Sequence, residues 1–125
     1  MSKMNELCEY LQNRGVTDKT YLNFVSKVET RDEKYKLFSV EGQAYMLSHF
    51  LDSSDELGFD LIRTNDVLGL THTEILAIAL VEGDEVICIN KNDNSICLLS
   101  FQSGERELYG VAGTFHEFLS MISVE

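Results

Sequence analysis

Residues 82–101 read EGDEVICINKNDNSICLLSF, and the rest of the chain takes its place from them. Two apolar runs, 85–89 and 96–101, enclose a polar KNDN at 91–94, and Gly83-Asp84 stands in front. Asn and Asp tolerate the left-handed backbone that tight turns need, so KNDN is expected to join the runs as a hairpin. A symmetric turn centred on Asn92 and Asp93 pairs residues whose numbers sum to 185. Cys88 then faces Cys97, and Ile89 faces Ile96. A strand with one wet face alternates apolar and polar residues. Here Val86 and Cys88 alternate with Ile87 and Ile89, so the strand belongs inside a sheet with a helix over at least one face.

The same stretch admits other chemistries. Asn90, Asn92 and Asn94 alternate like calcium ligands. An EF-hand loop, however, wants carboxylates there, a central Gly, and Glu at its twelfth position. Counting from Asn90, the twelfth residue is Phe101. No GxxxxGK[ST] or GxGxxG is present to cradle a phosphate, and Gly110-Val111-Ala112-Gly113 is too short for that purpose. Cys88 and Cys97 read as small buried hydrophobes, with a reduced cross-strand redox pair as the alternative.

Working outward, Leu76–Val81, Glu85–Asn90 and Ser95–Phe101 form three successive antiparallel strands. Toward the N-terminus, Met4, Leu7, Cys8 and Leu11 recur at the spacing of one helix face, and Gly15 is placed to stop that helix. Thr17 or Asp18 can cap a second helix carrying Tyr21, Leu22, Val25 and Val28 on one side. From Tyr35 to Leu51 β-formers return, divided by Gly42. Ser53-Ser54-Asp55-Glu56 resembles a helix start leading into Leu57, Leu61 and Ile62, although Gly58 weakens it and LGFDLI also suits an extended chain. Thr114 caps a last helix whose Phe115, Phe118, Leu119 and Ile122 dock on the sheet.

Composition bounds the function. The chain has 125 residues, near the commonest domain size, and 44% of them are hydrophobic, which excludes a disordered tail. It holds no proline, repeat or Gly/Ser-rich linker, so residues 1–125 read as one domain. Its longest apolar run, Ile75–Val81, has seven residues against about 20 for a membrane span. The acidic N-terminus MSKMNELCEY lacks a signal-peptide core, and three cysteines without a CxxC fit a reduced, cytoplasmic location better than a disulfide or zinc framework.

Net charge is −11, and its distribution is uneven. Residues 1–40 carry +1, whereas residues 41–125 hold three Lys/Arg against fifteen Asp/Glu. Nucleic acid requires a basic footprint and is disfavoured as a ligand. A basic protein partner, drawn in by long-range attraction, is favoured, and the competing reading is acidity that only solubilises. Catalytic constellations are thin. His49, His72 and His116 lie far apart, and no HExxH, HxE…CxxC or GxSxG occurs. His72 with Glu74, or His116 with Glu117, is what remains for an enzyme, so the expectation is a protein without catalytic residues, cofactor or metal.

Residues 74–101 followed by 110–122 resemble the C-terminal half of the SUKH superfamily, which includes bacterial toxin-immunity proteins and fungal cell-wall-assembly regulators. Leu76-Ala77-Ile78-Ala79 fills its first strand, Gly83-Asp84 its turn, Val86–Asn90 and Ser95–Leu99 the next strands, and Thr114–Leu119 its helix. The family's Leu-Pro and Trp have no counterpart, since this chain has neither Pro nor Trp. The resemblance implies an α+β fold with a twisted antiparallel sheet flanked by N-terminal and C-terminal helices. It also implies a non-enzymatic protein-binding domain, a monomer or weak homodimer. An immunity protein against a basic toxin, such as a nuclease, is the first reading, and a regulatory adaptor with a cellular partner is the second. Occlusion of the toxin by carboxylates follows, with Glu82, Asp84, Glu85, Asp93, Glu105 and Glu107 as the candidates.

Overall fold

The sheet is built outward from that hairpin. The computed structural model describes residues 3–26, 36–53, 58–101 and 104–124. Its elements are α1 (Lys3–Asn13), α2 (Lys19–Val25), β1 (Lys36–Val40), β2 (Gln43–Phe50), α3 (Leu61–Leu68), β3 (Ile75–Val81), β4 (Glu85–Asn90), β5 (Ile96–Ser100), β6 (Glu107–Ala112), α4 (Phe115–Met121) and β7 (Ser123–Val124). The fold is α+β, and the sheet runs β6-β5-β4-β3-β2-β1-β7 with antiparallel neighbours throughout. β1 to β6 form a meander, while the two-residue β7 pairs beside Lys36 and Leu37 on β1.

Cys88 opposes Cys97 and Ile89 opposes Ile96, the register the symmetric turn requires. β4 is buried from Glu85 to Ile89, and β3 and β5 are nearly as dry, as their two-sided apolar sequences demand. Asn94, at φ 61°, supplies the left-handed residue of the turn.

The meander cannot be flat. Six strands laid side by side span about 24 Å at about 4.8 Å per step. Yet the chain leaves β6, passes through the seven residues of α4, and pairs with β1 as β7. A seven-residue helix is only about 10 Å long. The sheet therefore curls until β1 approaches β6, and α4 crosses the gap between them. Phe115 and Phe118 on α4 are fully buried, and they pack edge-on against Tyr21, Phe24, Phe38 and Phe50. Thr114 holds this helix in place by accepting a hydrogen bond from the Glu117 amide at 3.1 Å.

α1 ends as its sequence predicts, with Gly15 at φ 96° and Val16 N bonded to Leu11 O. Asp18, one of the two residues suited to the task, caps α2 through Tyr21 N. The third helix differs from expectation. It begins at Leu61 under an Asp60 cap; ahead of it Gly58 and Phe59 form a turn, and of the extended alternative only a single parallel bridge between Asp60 and Asp52 is present. Residues 54–57 and Val28 lie outside the described residues. β6 and β7 were not anticipated: β6 is an edge strand, half of it exposed and interrupted by Gly110, so it shows no clean alternation.

Among the described residues, the Asn65 amide is buried completely. Asn65 on α3 donates to Ala77 O and Leu61 O, both at 2.9 Å, and accepts from Ala77 N at 2.7 Å. Ala77 pairs with Cys88 on one side of β3, while on the other the pairing with β2 stops at Phe50 opposite Ala79, and the helix satisfies both backbone groups of Ala77. The amide of Asn65 matches both an orphan donor and an orphan acceptor.

Candidate functional site

In a meander, alternate turns fall at the same end of the sheet. The β1–β2 turn (41–42), the β3–β4 turn (82–84) and the β5–β6 connection (101–106) share one end, whereas KNDN lies at the other. Backbone bonds tie the shared end together: Glu82 N donates to Met46 O at 2.8 Å, and Phe101 N to Asp84 O at 2.9 Å. Glu82, Asp84, Glu105 and Glu107 are exposed there, joined by Glu41, which the sequence reading passed over. Arg106 sits in their midst, but its guanidinium turns away and donates to Leu68 O at the C-terminus of α3.

Two tyrosines complete this acidic rim. Tyr45 on β2 stacks on Phe38. Partial burial raises its pKa first, with Glu85 and Glu41 adding to the effect. Tyr109 on β6 donates to a Glu107 carboxylate oxygen. That bond is the largest cause of its raised pKa, and burial, the Glu107 charge, Tyr45 and Glu41 act in the same sense. Glu41 thus acts on strands that a flat sheet would hold far apart, which the curl explains. The rim is electronegative, and its phenols stay protonated.

Two of the expected carboxylates do not belong to it. Glu85 is a correction: it is 4% exposed, on the face of β4 that carries Ile87 and Ile89, with Ser100 Oγ donating to it at 3.4 Å. Period-two alternation, applied to Glu85 itself, would have placed it inside. Asp93 is exposed but lies at the opposite end, where its carboxylate accepts from Ser95 N at 2.9 Å and Ser95 Oγ at 2.7 Å. These bonds hold its pKa below the usual value.

KNDN serves as a turn that locks the fold. Asn94 Oδ1 accepts from Thr17 N and Asp18 N at 2.8 and 3.0 Å, and its Nδ2 donates to Gly15 O at 3.1 Å. Lys91 Nζ donates to Thr71 O and Thr73 O at 2.8 and 2.7 Å, and to Leu70 O at 3.3 Å. Desolvation, then Arg14, lower the Lys91 pKa, against a pull upward from Glu74. The turn therefore fastens the α1–α2 junction and the loop after α3 to the sheet.

The histidines stay apart. His49 is held between Ser48 Oγ and Gly58 O and lies against Phe59, whereas His72 and His116 are exposed. Glu117, the neighbour of His116, accepts from Gly113 N instead. Among the described residues, no three His, Cys, Asp or Glu side chains assemble a metal site, and no helix is long and apolar enough to cross a membrane. Two grooves border β6. One of about 530 Å³ is lined by Cys97, Leu108 and Gly110, the other of about 250 Å³ by Thr73, Glu74 and Arg106, and no histidine lines either. Comparison of the chain with protein-family models, curated proteins and solved structures found no match.

Proposed function

We propose that this chain is a SUKH-type protein-binding domain without chemistry of its own, an immunity protein that neutralises a basic bacterial toxin. The observation that carries the reading is the convergence of Glu41, Glu82, Asp84, Glu105 and Glu107 from three turns onto one end of the sheet. A toxin that acts on nucleic acid holds its substrate with Lys and Arg. The rim offers those side chains carboxylates, and Tyr45 and Tyr109 offer ring faces for cation–π contact. Long-range attraction brings the partners together, and the rim then covers the toxin's cationic surface so that substrate cannot enter.

The test is protection in cells that express this chain with the product of the adjacent gene. The Glu41→Lys, Glu82→Lys, Asp84→Lys triple variant is expected to fold and to lose protection, while Asp93→Lys at the far end retains it. A folded triple variant that protects as well as the native chain overturns the reading and leaves the acidity as a solubilising surface.

A further inference from the structure

The two cysteines of the central hairpin are neither equivalent nor isolated. Asn90 N donates to Ser95 O at 2.8 Å, and Phe101 N donates to Asp84 O at 2.9 Å. Hydrogen-bonded and non-hydrogen-bonded pairs alternate along an antiparallel ladder, so the Cys88 and Cys97 pair falls on a hydrogen-bonded position. Such pairs hold their Cα atoms about 5.5 Å apart, within the range of about 4.4–6.8 Å that a disulfide spans. The side chains share a face, and Cys97 Sγ reaches the Cys88 carbonyl at 3.7 Å.

On its other side, Cys97 is paired with Gly110 of β6. Gly110 is exposed and has no side chain to cover its neighbour, and the groove of about 530 Å³ opens there onto Cys97. Cys88 is 0% exposed against 6% for Cys97. The geometry points to a dithiol oxidation site in which Cys97 is the sulfur that meets hydrogen peroxide in the groove and Cys88 is the sulfur that resolves it. Contact with Cys97 and then burial raise the pKa of Cys88, and of the two only Cys97 lines the groove, which favours this division of roles.

The chemistry balances with the peroxide as the oxidant. The Cys97 thiolate attacks one peroxide oxygen, the O–O bond breaks, and the departing hydroxide takes a proton to become water. Cys97 is left as a sulfenic acid. The Cys88 sulfur attacks Cys97 Sγ as its proton leaves, the S–O bond breaks, and hydroxide with that proton forms a second water. Two thiols are oxidised to one disulfide, and the peroxide is reduced to water. A dithiol reductant reverses the step by exchange.

Lys91 lies between the cysteines, so trypsin separates Cys88 from Cys97 and only a disulfide holds their peptides together. The full native chain is treated with hydrogen peroxide, free thiols are blocked with N-ethylmaleimide, and the digest is mapped by mass spectrometry. The linked pair, reversible by dithiothreitol, is the expected product. In the untreated folded protein, N-ethylmaleimide should modify Cys97 at least about tenfold faster than Cys88, as its access and thiolate character require. In Cys88→Ser, dimedone should trap a sulfenic acid on Cys97. Absence of the link, or equal alkylation of the two cysteines at the rate of global unfolding, overturns the proposal.

Discussion

Replacing Asn65 by Ala removes the one side chain that satisfies both backbone groups of Ala77. Asn65 is 0% exposed, so neither group gains water when the amide is lost. A buried backbone donor or acceptor left unpaired costs about 1–3 kcal/mol, which gives about 2–6 kcal/mol for the two. Against a typical stability of about 5–15 kcal/mol, that is a large fraction. Urea denaturation followed by circular dichroism reads the loss as a lower midpoint at unchanged slope. Asn65→Asp keeps an acceptor for Ala77 N but loses the donor to Ala77 O, and should also destabilise. Val67→Ala, two residues along the same helix at a position 79% exposed, should change stability by less than about 0.5 kcal/mol. A loss below about 1 kcal/mol for Asn65→Ala would refute the role assigned to the amide.

Three further outcomes follow from the core and its turns. Tyr21 is 1% exposed with no hydrogen-bond partner for its hydroxyl among the described residues, and burial, then Cys8, push its pKa far up. Above about pH 10 the unfolded chain sheds a proton that folded Tyr21 keeps, so stability falls with rising pH. Tyr21→Phe should make that alkaline fall shallower and raise neutral stability by up to about 1 kcal/mol, and identical pH–stability curves would contradict this. Gly15→Ala forces a left-handed residue and sets its Cβ 2.6 Å from the Lys91 carbonyl oxygen, so calorimetry should show a loss of more than about 1–2 kcal/mol. Glu85→Lys should cost more than about 2 kcal/mol and Glu82→Lys within about 0.5 kcal/mol in the same denaturation assay, and equal effects would undo the distinction between buried and exposed carboxylates.

The hairpin could be read from sequence because its determinants are local: a turn with Asn at the left-handed position, and apolar residues on both sides of each strand. The Thr114 and Asp18 caps and the Gly15 stop were legible for the same reason. Asn65 and Lys91 were not. A polar residue on a helix and a lysine in a turn resemble solvated surface until the chain brings Ala77 or the 70–73 carbonyls to them. The acidic rim was legible in part. Glu82 and Asp84 follow from the Gly-Asp turn, but Glu41 joins them only through the pairing of β2 with β3 across the intervening α3, and Glu105 and Glu107 only through the weakly patterned edge strand β6. Asp93 was misplaced although its position was legible: successive turns of three antiparallel strands lie at opposite ends, so the turn at 91–94 cannot share an end with the one at 82–84.

The rim's role is tested most directly by the ionic-strength dependence of association between this chain and the protein encoded beside it, followed by stopped-flow fluorescence. Screening shortens the Debye length from about 30 Å at 0.01 M to about 8 Å at 0.15 M salt. If the rim steers the encounter, the association rate should fall at least about tenfold over that range. The Glu41→Lys, Glu82→Lys, Asp84→Lys variant should associate slowly at both salts. An association rate unchanged by salt and by the triple reversal would contradict the account.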